Sequence, residues 1–146
     1  MPDSLDTARQ MWADDPASRA MGMELKELTP GGAVVEMTVR PDMVNGHAVA
    51  HGGLVAALAD SAFALACNSR GTPTVAAGFD VTFLEPVHDG DVLVATAEER
   101  SLRGRSGIYD VTVRRGDVVV AEFRGRSRAL REAGSSTAAT DRPGSS

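Results

Sequence analysis

The sequence predicts an α+β fold, in which a curved antiparallel β-sheet wraps around one long central helix. The first observation behind this prediction is the stretch 54–67, where every residue except Asp60 and Ser61 is apolar. A helix that is apolar on all sides is typical of a buried position, and this one is too short for a bilayer, which takes about 20 apolar residues. The second observation is that most of the remaining chain alternates apolar and polar residues between turn signals. Such segments are typical of strands, which can cover the helix.

The elements before this helix are a shorter helix and a β-hairpin. Residues 3–14 are predicted to form a helix that ends at Pro16, because their apolar residues recur on one face. Strands are predicted at 21–28 and 33–40, on either side of a Thr-Pro-Gly-Gly turn. The loop 41–51 then leads into the long helix.

Four more strands are predicted after the helix, at 74–84, 92–102, 108–114 and 118–128. From Ala133 onward the chain consists mainly of Gly, Ser, Thr and Ala, which offer too little apolar surface for folding. We therefore expect one folded domain over residues 1–131 and a disordered tail over residues 132–146.

The composition is that of a single globular domain. The chain has 146 residues, of which 42% are apolar, and this is enough for one substantial core. Its single cysteine, Cys67, excludes an internal disulfide and a Cys-based zinc site, and it favours a reducing compartment. The acidic N-terminus lacks the basic segment and apolar run of a signal peptide. We therefore expect a cytoplasmic protein.

The charges are unevenly distributed along the chain. The net charge is −5, yet residues 1–99 carry 15 acidic and 5 basic residues, whereas residues 100–131 carry 9 arginines and 3 acidic residues. The overall negative charge argues against nonspecific binding of nucleic acid. The local excess of arginine could bind an anionic small molecule; alternatively, these arginines form the solvated face of a sheet.

The residues that open the helix, His51-Gly52-Gly53, are candidates for an anion-binding site. Backbone N–H groups at a helix N-terminus attract anions and developing oxyanions, and glycine lets a substrate approach the backbone closely. Alternatively, the two glycines only allow a tight turn from loop to helix.

Asp60 is the second candidate, because a buried ionised carboxylate without a partner or a task is costly. It can act as a general base on water or as a nucleophile toward an acyl carbon. Alternatively, it is a structural residue bonded to nearby backbone or hydroxyl groups.

The spacing of Gly53 and Asp60 constrains how they could work together. They lie on nearly the same helix face but are seven residues apart, which is about 10 Å along the axis. One helix cannot easily bring both to a single carbonyl group. If both act on one carbonyl, a second, antiparallel copy of the helix is the natural solution, and this implies an isologous dimer with two sites.

No metal or nucleotide-cofactor site is predicted. His47 and His51 are four residues apart, but they lie in a loop and no third ligand follows at the spacing of a metal site. The chain contains no nucleophile elbow, P-loop or dinucleotide fingerprint.

Residues 45–71 resemble the signature of the hotdog-fold acyl-CoA thioesterases, and most closely the PaaI thioesterases of the phenylacetate pathway. The segment reads N-G-H-A-V-A-H-G-G-L-V-A-A-L-A-D-S-A-F-A-L-A-C-N-S-R-G. The likeness covers roughly residues 8–130 and is also evident at 11–16, 80–86, 107–111 and 123–127. The resemblance is specific because His-Gly-Gly and the helical Asp occur together with Asn45, six residues before the histidine.

The resemblance implies a site and an assembly. Asp60 matches the catalytic acid of the family, and Gly53 matches the N–H donor to the oxyanion. His51 and Gly52 shape the loop of that donor. Asn45 matches the residue that positions the attacking water or the thioester, contributed by the subunit opposite Asp60. The family forms dimers, commonly paired into tetramers, so a homodimer or homotetramer is expected to hydrolyse aryl- or arylacetyl-CoA in the cytosol without cofactor or metal.

The chain departs from the family in one respect. Some relatives place a serine near the start of the next strand to orient water, and residues 75–78 contain none.

The CoA nucleotide carries several negative charges, so Arg103 and Arg105 in the basic turn are candidate phosphate contacts, with Arg70 as a weaker one. The alternatives are a hotdog dehydratase or hydratase, which would need a histidine paired with an acid on the helix, and a noncatalytic acyl-CoA-binding module.

Overall fold

The computed structural model describes residues 3–131, and the predicted tail at 132–146 lies outside the described residues. The helices are α1 (Asp6–Ala13), α2 (Pro16–Ala20) and α3 (Gly52–Cys67), with a 3₁₀ helix at Pro41–Met43. The strands are β1 (Glu24–Thr29), β2 (Gly32–Thr38), β3 (Thr74–Phe83), β4 (Val92–Arg103), β5 (Ser106–Arg115) and β6 (Val118–Ala129). The predicted long helix and all six predicted strands are therefore present.

The chain around Pro16 differs from the sequence-based prediction. α1 ends at Ala13, but Pro16 begins a second helix instead of only closing the first. The reason is local, because Asp15 caps α2 by accepting a hydrogen bond of 2.9 Å from the Ser18 N–H. Proline is favoured in a first helical turn, where its missing N–H is not needed. Asp15 and Pro16 thus form a helix start.

All six strands form one antiparallel sheet in the order β1-β2-β4-β5-β6-β3. β3 follows α3 in the chain but pairs with the last strand, β6, and so forms one edge of the sheet. Register breaks on β3, β4 and the β5–β6 pair bend the strands. α3 contacts all six strands, so the predicted α+β arrangement of a sheet around a helix is confirmed.

The core lies between α3 and the inner face of the sheet, with Phe63 at its centre. The Phe63 ring centroid is 5.7 Å from that of Tyr109 and 5.8 Å from that of Phe123, which is a favourable range for aromatic pairs. Gly125 of β6 lies against the Phe63 ring, and a Cβ added there would be 2.8 Å from ring atoms. Glycine is needed at this position because the helix comes so close to the strand.

α3 is less completely buried than the sequence predicts. Nine of its sixteen residues are buried, but one face remains exposed or half-buried in the single protomer. The residues of this face, called the α3 stripe below, are Gly53, Leu54, Ala57, Asp60, Ser61 and Ala64. Their spacing of three and four positions places them in one line along the helix. Burial on all sides would therefore require a cover from outside the described protomer.

The edge strand β3 also presents apolar surface to solvent. Val75, Phe79, Phe83 and the adjoining Leu84 are between 41% and 50% exposed. A long edge strand with apolar side chains is a ready template for pairing with another chain.

Across residues 3–131, no helix is both long enough and apolar enough to cross a membrane.

Candidate active site

The N-terminus of α3 presents two unpaired backbone donors. The N–H groups of Leu54 and Val55 donate to the His51 carbonyl oxygen at 2.9 and 3.3 Å. The N–H groups of Gly52 and Gly53 have no acceptor within residues 3–131. His51 is the N-cap residue, but its side chain forms no capping hydrogen bond. The free N–H groups and the helix dipole together favour an anion or an oxyanion at this point.

The two glycines differ in what surrounds them. A Cβ at Gly52 would lie 3.1 Å from the Phe83 ring, so this glycine allows β3 to pack against the helix start. A Cβ at Gly53 would meet only the His51 Nδ1, at 3.7 Å, and the residue is exposed. The backbone of Gly53 is therefore open to a ligand, in agreement with the candidate role of an accessible donor.

The loop that carries Asn45 is held by hydrogen bonds along its whole length. Val44 and Ala50 form an isolated antiparallel bridge, and the Asn45 N–H donates to the Val49 carbonyl oxygen at 2.8 Å. The Asn45 Oδ1 accepts from the His47 N–H at 2.8 Å and from the Val49 N–H at 3.4 Å. These bonds identify Oδ1 as the acceptor. The Nδ2 group has no acceptor in the described chain and remains available as a donor.

A pocket of about 400 Å³ lies between this loop, the start of α3 and the end of β3. Its lining residues are Asn45, Val49, Ala50, Gly52, Val55, Phe83, Leu84, Glu85, Pro86, Val87 and Val120. Most of these residues are apolar, and the Asn45 amide is one of the few polar groups. A pocket of this kind suits an apolar group that carries one polar atom at a fixed point.

Asp60 lies at the middle of the α3 stripe, half-buried and without a partner. Its carboxylate forms no hydrogen bond and no ion pair with any residue between 3 and 131, which disfavours the structural role considered from the sequence. Burial raises the pKa of Asp60 above its ordinary value, and the nearby Asp15 carboxylate raises it further. Such a carboxylate is more basic than an ordinary one, as a general base requires.

One protomer brings together only part of the predicted site. Asn45 and Gly52 line the same pocket, with Gly53 and His51 beside it at the helix start, whereas Asp60 is not among the lining residues. Within one protomer, Asp60 therefore lies outside the pocket that Asn45 and Gly52 line.

Arg103 and Arg105 lie at the opposite end of α3 from Gly53 within one protomer. Arg105 borders a small cavity of about 80 Å³ together with Cys67, the last residue of the helix. Its Nε donates to the Ala129 carbonyl oxygen at 3.0 Å, while Arg103 is exposed. Desolvation lowers the pKa of Arg105, and the positive charges of Arg128 and Arg131 lower it further. The turn is therefore a concentration of positive charge, as the sequence indicates.

Three of the other arginines of the basic region pair with acids on the outer face of the sheet. Arg124 and Arg100 contact Asp110 at 2.7 and 2.8 Å, and Arg126 contacts Asp80 at 3.3 Å. These pairs support the alternative interpretation of the sequence, in which the arginines form the solvated face of a sheet.

Among residues 3–131, no three His, Cys, Asp or Glu side chains lie close enough together to hold a metal ion.

Comparison with known proteins identifies the family. The sequence model of the thioesterase superfamily matches residues 47–122. The acyl-coenzyme A thioesterase PaaI of Escherichia coli (strain K12) is 42% identical over 124 residues, which cover 84% of this chain and 89% of that protein. The chain belongs to the thioesterase superfamily. The human acyl-coenzyme A thioesterase 13, also similar, is 37% identical over 82 residues, or 54% of this chain and 59% of that protein.

Solved structures place this thioesterase among the hotdog-fold proteins of the PaaI type. The E. coli PaaI structure aligns with a TM-score of 0.85 and 39% identity, covering 88% of this chain and 94% of that chain. A mutant of PaaI from Thermus thermophilus aligns with a TM-score of 0.78 and 42% identity, covering 80% of this chain and all of that chain. The predicted family and the predicted hotdog fold are confirmed, and the enzyme is a thioester hydrolase.

Two residues near the candidate site are not predicted from the sequence. Asp15 lies close enough to Asp60 to raise its pKa, and the only sequence signal for it is the Asp-Pro helix start. Phe83 packs against Gly52, and no local signal could reveal this contact between a strand and a helix start.

Proposed function

We propose that this thioesterase hydrolyses aryl- or arylacetyl-CoA thioesters at two equivalent sites, each shared by two subunits. The observation that carries the proposal is the separation of complementary groups along the α3 stripe. Unpaired N–H donors lie at one end of the stripe, and an unpaired, half-buried carboxylate lies two turns further on. Among the described residues, the N–H groups lack an acceptor, and the Asp60 carboxylate lacks a donor.

The exposed surface supports pairing with a second copy of the chain. Two β3 edges can pair antiparallel, which would also cover the apolar side chains of Val75, Phe79 and Phe83. The same two-fold axis sets the two α3 helices side by side and antiparallel. The midpoint between Gly53 and Asp60 falls next to Ala57 of the α3 stripe, whose small side chain favours close approach of the helices. Gly53 of one chain would then face Asp60 of the partner subunit.

The proposed chemistry follows from this pairing. The thioester carbonyl oxygen accepts a hydrogen bond from the Gly53 N–H, and the Asn45 Nδ2 donates to the water or the thioester. One such oxyanion donor contributes roughly 3 kcal/mol to the transition state. Asp60 of the partner subunit takes a proton from water as the hydroxide adds to the carbonyl carbon. The C–S bond then breaks, the thiolate leaves and is protonated, and the acid is released.

Asp60 could alternatively attack the acyl carbon itself and form an anhydride that water then hydrolyses. Incorporation of ¹⁸O from labelled water into the Asp60 carboxylate during a single turnover tests for the anhydride. Label in the protein identifies the nucleophilic route with water attacking the Asp60 carbonyl carbon of the anhydride, whereas label in the acid product alone is expected for the general-base route and for attack of water on the acyl carbon of the anhydride.

The acyl group is assigned to the pocket at the start of α3. Its apolar lining, with Phe83 on one side, suits an aromatic ring next to the carbonyl carbon. The related E. coli structure is described as that of the PaaI protein from the phenylacetic acid degradation operon, which supports the same class of substrate.

A turnover screen tests this assignment. Phenylacetyl-, hydroxyphenylacetyl-, hydroxybenzoyl- and straight-chain acyl-CoA thioesters are compared by release of free thiol. The highest kcat/KM is expected for an aryl or arylacetyl thioester. A clear preference for straight-chain acyl groups would contradict the substrate class but leave the thioesterase assignment intact.

A further inference from the structure

A hydrogen-bonded chain connects α2 to α3 beside Asp60. The Asp15 carboxylate accepts from the Ser18 N–H at 2.9 Å and lies 2.7 Å from the Ser18 Oγ. The Ser18 Oγ lies 2.8 Å from the Ser61 Oγ, and Ser18 is only 3% exposed. Ser61 is the residue that follows Asp60 on the α3 stripe.

The Asp15 carboxylate determines which group donates in each hydrogen bond of this series. An ionised carboxylate can only accept, so the single hydroxyl hydrogen of Ser18 goes to Asp15. The Ser18 oxygen then accepts, and the hydrogen of Ser61 goes to Ser18. The Ser61 hydroxyl therefore donates toward α2 and has no hydrogen left for its neighbour Asp60.

The charges around Asp60 act in the same direction. Asp15, at the α1–α2 junction, is the negative group that raises the pKa of Asp60 in addition to burial. Cys67, on the same helix, has its pKa raised to about 12 and stays neutral. No Lys, Arg or His side chain of the described residues forms an ion pair with Asp60. The Asp60 carboxylate thus lies near a second negative charge, and it has neither a hydrogen-bond donor nor a cation as a partner among the described residues.

We propose that Asp15, held in place by Ser18 and Ser61, is a positioning residue that keeps the Asp60 carboxylate beside a like charge and without a hydrogen-bond donor. This rests on the proposed function, in which Asp60 removes a proton from water. A base without donors is stronger, and its strength is used when the proton moves. The cost of the like charge is offset by the cap that Asp15 provides to α2 and by the buried bonds of Ser18.

Asp15→Asn is the main test, because asparagine caps a helix as well as aspartate does. Its amide oxygen can still accept from the Ser18 N–H, while its NH₂ group donates to the Ser18 Oγ and frees the Ser18 hydrogen. Both the charge and the hydrogen-bond direction are thereby changed without loss of the cap. The acid limb of the kcat/KM profile should move to lower pH, and the plateau of kcat should fall several-fold.

A direct titration provides a readout that is independent of turnover. The Asp60 carboxyl carbon is followed by ¹³C NMR from acid to neutral pH, with its signal assigned by comparison with Asp60→Asn. In Asp15→Asn the midpoint of this titration should be lower than in the wild type.

Asp14→Asn is the matched control, because it removes the adjacent charge from an exposed residue that pairs with Gln10. Its profile and its Asp60 titration should equal those of the wild type. Ser61→Ala should lower kcat with little change in KM, and Ser61→Thr, which keeps the hydroxyl, should restore it.

The outcomes separate this inference from the proposed function. An unchanged acid limb and Asp60 midpoint in Asp15→Asn, or equal shifts in Asp14→Asn, would overturn the role of Asp15 while Asp60→Asn is still inactive. Full turnover by Asp60→Asn would instead overturn the proposed function, and the NMR titration would still report whether Asp15 acts on Asp60.

Discussion

Asp60 is the residue on which the proposed chemistry depends, and its surroundings have two opposite effects. Its pKa is raised by burial and by Asp15, which makes it a better base but a costly charge. Residues placed for function commonly reduce stability in this way. A substitution of Asp60 can therefore be tested for its effect on turnover and for its effect on stability.

Asp60→Asn should reduce turnover by at least about a hundredfold, the usual scale for a positioned acid–base group. It should also raise the Tm at pH 7. The folded-state pKa lies above the ordinary value, so the ionised carboxylate destabilises the fold at neutral pH. The gain should shrink as the pH falls through the folded-state pKa, because the wild-type carboxyl is then neutral as well. Thermal unfolding at several pH values, together with the thiol-release assay, measures both effects.

Asp110→Asn is the control with the opposite sign. Arg124 and Arg100 hold the pKa of Asp110 at about 2, below its ordinary value of 3.8. The ionised Asp110 therefore stabilises the fold above pH 3.8, and this contribution is lost as the pH falls toward 2. Asp110→Asn should lower the Tm at pH 7 and leave kcat unchanged. Changes in Tm of the same sign in Asp60→Asn and Asp110→Asn at pH 7 would contradict the conclusion that the ionised Asp60 destabilises the fold.

At the scale of elements, the sequence was sufficient where the signal is local. The apolar run of α3 and the alternation in β4, β5 and β6 predicted those elements, because helix and strand periods are properties of neighbouring residues. The Asp15-Pro16 start of α2 is also a local signal, but from the sequence Pro16 predicts only the end of the preceding helix. Contacts between distant segments could not be predicted this way, and they decide that β3 is an edge strand, that Asp15 faces Asp60 and that Arg105 lies far from Gly53.

The start of α3 allows a comparison of two adjacent glycines. Gly53→Ala should keep or raise the Tm, because its Cβ would make only an ordinary contact of 3.7 Å with the His51 Nδ1 and alanine favours a helix. Its kcat/KM should nevertheless fall roughly tenfold or more, since small misplacements at a reacting centre are costly. Gly52→Ala should lower the Tm through its 3.1 Å contact with the Phe83 ring. Wild-type activity in a stable Gly53→Ala would show that no substrate approaches this backbone.

The turn between β4 and β5 is the proposed contact for the CoA phosphates. In the proposed antiparallel pair, the C-terminal end of one α3 would lie toward the N-terminal end of the other, so the partner's Arg103 and the partner's Arg105 would approach the site. Replacing Arg103 and Arg105 by alanine should raise KM for CoA thioesters. An N-acetylcysteamine thioester lacks the phosphates and should be almost unaffected. Arg114→Ala replaces an exposed arginine at the other end of β5 and is the control. Equal losses on both substrates would show that the turn has a structural role instead.

At the scale of the whole molecule, the uncovered α3 stripe and the apolar β3 edge lead to the same conclusion. Each is unusual for an isolated protomer, and one two-fold axis would cover both. A dimer would also provide what a single helix lacks, because Gly53 and Asp60 of one chain are about 10 Å apart along α3. The assembly would therefore complete the site rather than only stabilise the fold.

Mixed dimers test whether the site is shared. Asn45→Ala and Asp60→Asn, each nearly inactive alone, are unfolded and refolded together in equal amounts, so that half of the dimers are mixed. In a mixed dimer one site contains both substitutions and the other contains neither, because Asn45 and Asp60 of a given site come from different chains. Activity should therefore return to roughly a quarter of the wild-type value, as two-fold symmetry requires. Native mass spectrometry confirms the mixed species and also distinguishes dimers from the expected tetramers. If confirmed mixed dimers are as inactive as the two parents, Asn45 and Asp60 act within one chain, and the two-subunit site is wrong.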